Sequence, residues 1–374
     1  MRIAVLRERR PGERRVALLP ELLPRLLQAG VEVAVEPDVG AEVGVPDDAY
    51  AAAGAYVGDD AMEGADLVLS VQPINLATAR ALAEGTVTVS FLPPTQEMPL
   101  VRRLRERRLT AFSMDLIPRI ARAQTMDALS SQSMVAGYRA AVVAAERLPR
   151  FFPLFMTAAG TVRPATVLVL GAGVAGLQAI ATTRRLGADV SAYDVRKSSA
   201  EEVASLGARF VDLGLPPLEG EGGYAREMTE ERSTRQRELL TPHIAASDVL
   251  ITTAAVPGRT APLLVTPEMI VGMRPGSVVV DLVADQGGNV AGSVPGQELS
   301  TGGVLIWGGQ NVPSQLPVPA SQLYAQNVLN LILLLVRDGR LHLDFDDEIL
   351  AASCLTHDGE VRHRHTQDLI GEVG

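Results

Sequence analysis

Residues 166–196 read TVLVLGAGVAGLQAIATTRRLGADVSAYDVR, and the order of residue types in this stretch decides the fold. A short apolar run at 167–170 leads into Gly171, Gly173 and Gly176, after which apolar residues recur at helical spacing. A second β-rich run at 190–193 ends at Asp194, 18 residues beyond Gly176. Strand, glycine turn, helix, strand and terminal acid make a βαβ unit suited to a dinucleotide. Gly171 permits the tight turn, Gly173 lets the backbone approach a pyrophosphate, and Gly176 lets helix pack on strand. The first N–H groups of the helix and its dipole favour the phosphates. Asp194 can accept from the adenosine ribose hydroxyls and repels a 2′-phosphate, which favours NAD over NADP. Arg196 tempers that preference, because an arginine there can accommodate the phosphate.

Working outward, further strands are expected at 249–253, 278–282 and 304–306. The N-terminal third alternates in the same way, with strands at 2–6, 31–35, 67–71 and 87–91 and helices at 20–28 and 99–108. Good helix formers fill 125–147, and one long apolar helix is expected at 320–336 before a polar tail. The fold class is α/β: two doubly wound parallel-sheet domains with a cleft between them, linked by long helices.

Composition bounds the function. The chain has 374 residues, 47% of them apolar, which excludes disorder. A net charge of −10 argues against a non-specific nucleic-acid binder. Cys354 is the sole cysteine, so no internal disulfide or cysteine-based zinc site can form, and a reducing compartment is expected. No apolar run approaches the roughly 20 residues a bilayer needs, and the N-terminus places charges after its apolar run. A soluble, cytoplasmic protein is the expectation.

Three regions outside the glycine turn hold candidate chemistry. Residues 118–132, PRIARAQTMDALSSQ, are polar between apolar flanks and carry Arg119, Arg122, Gln124, Asp127, Ser130 and Ser131. Asp127 and Ser130 share a face if the helix has begun. A capped helix start with a solvated face accounts for the same residues; the position at a domain junction favours a ligand site. Residues 216–239 interrupt the second unit with a charged, glycine-rich insertion, either a lid or a flexible surface loop. The histidines (His243, His342, His357, His363 and His365) lack a helical i, i+4 partner, so no metal site is expected. Lys197 is the sole lysine and follows Asp194, near the ribose end. Dehydrogenases that oxidise alcohols or amines must also move a proton, using a poised His, Lys or Tyr. A ring-to-ring hydride transfer needs none.

With these residues identified, the sequence resembles the NAD-binding component (the soluble alpha-1 subunit, or domain I) of proton-translocating NAD(P) transhydrogenase. The resemblance runs essentially end to end. It is carried by RRVALLPE at 14–21, RAQTMDALSSQ at 122–132, AGYR at 136–139, the 171–196 fingerprint, GGYAREM at 222–228, DLVADQGGN at 281–289, NVPS at 311–314 and DDEI at 346–349.

It implies two Rossmann-like domains: residues 1–125 with 320–374, then a connecting helix over 126–150, then the NAD-binding domain at 151–319. Homodimerisation through the second domain is implied. So are partners: an NADP-binding beta subunit and a small membrane alpha-2 subunit, which would hold this chain peripherally on the cytoplasmic face of a membrane. Arg119, Gln124, Asp127 and Ser130 then surround the nicotinamide end of NAD(H), with Gln124 approaching the NADP(H)-bearing partner. Arg122, Val174, Val195 and Arg196, with Asp194 and the three glycines, fall to cofactor binding. Gly223, Tyr224 and Gln236 fall on a loop that closes over NAD, and Ala255 in the TTAAVPG turn contacts the cofactor.

Alanine dehydrogenase is a relative with the same start. It requires a lysine and a histidine where this chain has Gln72, and Phe91 with Leu92. Arg15, which would hold a substrate carboxylate there, is read as inherited structure. A non-catalytic NAD-sensing subunit is the remaining alternative.

Overall fold

The computed structural model describes residues 1–218, 229–255 and 260–371, which divide into two compact units, Met1–Gln132 with Ser314–Gly374, and Ser133–Pro313. The first unit is built on an eight-stranded sheet. Its six parallel strands, taken in chain order as Arg2–Val5, Glu32–Val35, Tyr56–Val57, Leu67–Leu69, Val87–Ser90 and Thr110–Ser113, lie in the spatial order 3-2-1-4-5-6. Cys354–His357 adds antiparallel beside Thr110–Ser113, and Glu360–Val361 pairs outside it. The expected polar tail is therefore partly a sheet edge. Cys354, Leu355 and Thr356 are fully buried, because the strand lies against the core although its flanks are polar.

The helix Pro317–Leu335 is long and apolar enough to cross a membrane. Here it is a core helix. Tyr324, Ala325, Val328, Leu329, Leu331, Ile332 and Leu335 are 0% exposed and join the cluster built by the first sheet. Each such aliphatic side chain contributes about 1.5–3 kcal/mol on burial, so this face ties the helix to that sheet.

The second unit repeats the plan. Thr166–Leu170, Asp189–Tyr193, Arg209–Phe210, Val249–Thr252, Val278–Asp281 and Val304–Gly308 run parallel, again in the order 3-2-1-4-5-6. Glu298–Thr301 closes the edge antiparallel. The central strands are buried along their length, as sheets covered on both faces require. In both units the order reverses between the first and fourth strands, and ligands of open α/β sheets collect beyond the strand ends at that point.

Two expected elements differ in detail. The helix over 125–147 is a 3₁₀ turn, Ala121–Met126, then a break at Asp127 with ψ 84°, then an α-helix, Ala128–Arg147. The 216–239 insertion is not loop throughout: Glu230–Ala245 is helical, started by Thr229, whose hydroxyl accepts from the Arg232 N–H.

Candidate nucleotide site and the polar turn

The strand Thr166–Leu170 turns at Gly171 into the helix Val174–Arg185. The three glycines are needed for different reasons. Gly171 has φ +99°, and a Cβ there would stand 2.6 Å from Thr253 Oγ1. A Cβ on Gly176 would lie 1.8 Å from the Gly171 carbonyl oxygen, so only glycine lets the helix approach its own strand. Gly173 is the opposite case. Its φ of −78° is open to any residue, and a Cβ would meet nothing within 4 Å among the described residues. No atom of those residues requires this glycine; a ligand that must reach the backbone does. No side chain caps the helix at Gly173. Its first N–H groups therefore face open space with the positive end of the dipole behind them. The residues present fit a pyrophosphate. Val174, 42% exposed, borders the same opening.

The rest of the turn is held from the neighbouring strands. Thr253 Oγ1 donates to the Gly171 carbonyl at 3.1 Å. Gly137 packs so closely on this helix that a Cβ would sit 2.1 Å from the Ala175 carbonyl oxygen.

Asp194 ends the second strand as expected, but its carboxylate is already engaged. Oδ1 accepts from the Arg196 N–H at 2.8 Å and Nε at 3.0 Å; Oδ2 accepts from the Ala172 N–H at 2.7 Å and Arg196 Nη2 at 3.1 Å. A carboxylate offers about four lone-pair sites, so a ribose hydroxyl must displace one of these donors. Ala172 is fixed in the turn, which leaves the Arg196 guanidinium to give way. Val195 follows, partly buried, in contact with the apolar cluster on that side of the sheet.

Two cofactor candidates stand apart from the turn. Gln236 lies inside the helix Glu230–Ala245, not on a loop; it is 2% exposed and accepts from the Tyr193 hydroxyl at 3.2 Å. Burial on the inner face of that helix turns its amide toward the strand that carries Asp194 instead of toward solvent. Gly223 and Tyr224 lie outside the described residues. Ala255 is exposed, directly after Ala254.

Ala254 is held by a residue that sequence reasoning passed over. Asn289, fully buried, accepts from the Ala254 N–H at 3.0 Å and donates to the Ala254 and Pro262 carbonyls, both at 2.8 Å. Asn289 is in turn positioned by the buried Asp281 carboxylate, which accepts from the Asn289 and Val290 N–H groups and from the Thr252 hydroxyl. The DQGGN run contained the signal: a short polar stretch directly after an apolar strand.

The first unit carries the other candidates. Asp127 caps the helix Ala128–Arg147: Oδ1 accepts from the Ser130 N–H at 2.9 Å and Oδ2 from the Ser130 hydroxyl at 2.6 Å. The two residues do share a face, and the cap is real. Arg119 and Gln124 are exposed on the same segment. Arg122 points elsewhere, with its guanidinium bidentate on Asp347 at 2.6 and 3.0 Å. Asp347 starts the helix Glu348–Ser353, so Arg122 ties the segment to the C-terminal region of its own unit. That bond holds the Asp347 carboxyl below its ordinary range.

Beyond the strand ends of this unit sits a buried polar cluster. Arg15, 4% exposed, places Nε and Nη2 on Glu13 at 2.8 and 2.7 Å and Nη1 on Gln132 Oε1 at 2.9 Å. Gln72 Nε2 donates to Glu13 at 2.8 Å. Burial pushes the Glu13 carboxyl up, but Arg15 and Gln72 outweigh it and hold it at about 2. Glu8 accepts from the Val71 N–H without a cation in contact, and burial lifts it to about 7.

Comparison with known proteins agrees with both halves. Residues 4–136 match the N-terminal domain of the family described as alanine dehydrogenase/PNT, and residues 140–364 match its C-terminal domain. The chain is 45% identical over 376 residues to the separately encoded first portion of the NAD(P) transhydrogenase alpha subunit of Rhodospirillum rubrum, covering 97% of this chain and 98% of that one. The crystal structure of transhydrogenase from Sinorhizobium meliloti matches with a TM-score of 0.85 at 40% identity, over 98% of this chain and 100% of that one. An L-alanine dehydrogenase structure matches with a TM-score of 0.84 at 25% identity, over 100% of both chains. This chain belongs to the alanine dehydrogenase/PNT family, within which it is a relative of the NAD(P) transhydrogenase alpha subunits.

Proposed function

We propose that this chain is the NAD(H)-binding component of a proton-translocating NAD(P) transhydrogenase, exchanging hydride directly with NADP(H) held on a partner subunit. The observation that carries the reading is Gly173, a glycine with no reason inside the protein, at an uncapped helix start. NADH bound here supplies a hydride from C4 of its dihydronicotinamide ring.

The chain's own residues bind and orient. The Gly171–Gly176 turn receives the pyrophosphate on backbone N–H groups, Arg196 yields a hydrogen bond so that Asp194 can take the adenosine ribose, and Ala255 borders that end. Arg119, Gln124, Asp127 and Ser130 act at the nicotinamide end. None of the four is needed as a proton donor, because hydride passes between two rings. They act by fixing orientation and excluding water, which together supply effective concentration and protect the hydride. Proton coupling belongs to the membrane partners, the NADP-binding beta subunit and the small alpha-2 subunit, with this chain peripheral on the cytoplasmic face.

A homodimer belongs to the proposal. The hairpin Phe155–Thr157 with Gly160–Val162 is exposed along both strands, and Phe151, Leu154, Phe155, Met156 and Val162 leave an apolar surface on it. An isolated two-stranded ribbon is marginal in water, and a second copy would cover it.

An amino-acid dehydrogenase is the second reading, favoured only by Arg15 at the strand ends. Gln72, Phe91 and Leu92 leave that place without a lysine or histidine to move the proton such a reaction releases. Mixing the purified chain with the NADP-binding component decides the matter. NADH should reduce bound NADP⁺, while alanine and NAD⁺ with the chain alone should give no NADH. NADH binding with no transfer to a folded partner would leave a nucleotide-sensing subunit instead.

A further inference from the structure

The core helix Pro317–Leu335 carries two amides whose positions packing alone does not explain. Asn327, 8% exposed, and Asn330, on the same face, both donate from Nδ2 to one acceptor, the Thr125 carbonyl, at 2.8 and 3.0 Å. Gln326 Nε2 donates to Asn330 Oδ1 at 3.1 Å and fixes how that amide is turned. Asn327 Oδ1 accepts from the Ser131 hydroxyl at 2.7 Å. Asn327 thus grips the chain on both sides of Asp127.

The place gripped is a junction. A 3₁₀ turn ends at Met126, the chain breaks at Asp127, and an α-helix begins at Ala128. The Thr125 carbonyl stands where one hydrogen-bond pattern stops and the other starts. Burying an amide costs free energy that a leucine would avoid. Two amides aimed at one carbonyl therefore serve the geometry of the segment they hold.

We infer that Asn327, assisted by Asn330, is a positioning residue for hydride transfer: it sets where Gln124, Asp127 and Ser130 stand without touching either nucleotide. This rests on the transhydrogenase reading above. It separates Asn327 from residues that bind NADH, because the amide faces the segment's backbone. A misplacement of about 1 Å can cost about 10²-fold in rate, so losing the clamp acts on transfer more than on affinity.

The test compares wild type, Asn327→Leu and Asn330→Leu in the full chain. Three quantities are read: single-turnover hydride transfer to the NADP-binding component at saturating NADH, NADH affinity, and amide hydrogen exchange across residues 121–131. Asn327→Leu should transfer at least about tenfold more slowly with NADH affinity within about twofold, and exchange should rise across 121–131 but not in the parallel strands. Asn330→Leu should show the same pattern more weakly, since Asn327 still holds the carbonyl; it carries the comparison if Asn327→Leu fails to fold. Transfer near the wild-type rate in a folded variant, or a rate loss matched by an equal affinity loss, overturns the inference. If wild type itself transfers nothing, the transhydrogenase reading fails, while the exchange data still decide the clamp.

Discussion

Gly173→Ala separates ligand-driven from protein-driven glycine use in one substitution. The backbone at Gly173, φ −78° and ψ −168°, is extended and suits alanine, and the added Cβ meets no described atom within 4 Å. Replacing glycine in a compatible conformation stabilises by about 0.4–1 kcal/mol, by restricting the unfolded chain. Thermal stability should therefore hold or rise slightly. Affinity for NADH should fall, because the methyl group stands between the pyrophosphate and the helix N–H groups. Losing one charge-assisted hydrogen bond is worth about 1.5–3 kcal/mol, or roughly 10- to 150-fold in Kd. Gly176→Ala is the contrast: a Cβ 1.8 Å from the Gly171 oxygen must push strand and helix apart. Overpacking of this kind costs about 1–3 kcal/mol or more, so Tm should drop before binding is even considered. Calorimetric melting and fluorescence titration with NADH read both variants. The reasoning is refuted if Gly173→Ala binds NADH within twofold of wild type, or if it loses stability as Gly176→Ala does.

Three further outcomes follow from other contacts. Asn289→Ala removes three hydrogen bonds from a buried amide and should cost about 3 kcal/mol, with a matching fall in the denaturant midpoint; an unchanged midpoint would remove Asn289 as the support of the 253–262 turn. Glu8 is lifted by burial from 4.5 to about 7, so the stability tied to its neutral form is complete below pH 4.5 and is lost as pH rises through 7. Glu8→Gln should match wild type at pH 4 and exceed it by about 2 kcal/mol at pH 8; the same difference at both pH values would show that charge is not the cause. Met156→Asp places a carboxylate on the exposed hairpin, where Met156 is 76% exposed, and light scattering should report a shift from dimer to monomer with the melting curve of the chain little changed. A dimer that persists would locate the interface elsewhere.

The fold was legible where the pattern was long. The 166–196 stretch predicted strand, turn, helix and strand, and the central strands of both sheets stand within two residues of their expected ends. Short or atypical strands were not legible. Tyr56–Val57 and Arg209–Phe210 have two residues each, too few for a period to show. Thr110–Ser113 reads TAFS, with little β-branched content, and is a strand because it is buried between two others. In the candidate site, spacing predicted that Asp127 and Ser130 share a face and that Asp194 ends its strand. It could not show that Arg196 and the Ala172 N–H already fill the Asp194 carboxylate, or that Arg122 turns to Asp347. Nor could it show that Gln236 is buried against Tyr193. Ala172, Asp347 and Tyr193 lie 22 to 225 residues from the groups they meet. Asn289, Asn327 and Asn330 were missed for a related reason. A polar residue in an apolar run is visible in sequence, but the carbonyl it serves is not.

Direct hydride transfer is the central claim, and an isotope label tests it most directly. NADH deuterated at C4 on the transferring face, mixed with this chain and the NADP-binding component loaded with NADP⁺, should yield NADPH that carries the deuterium at C4. The solvent should gain none, because no group on this chain takes up the hydrogen on the way. Deuterium released to water, or NADPH formed without the label, would contradict the account.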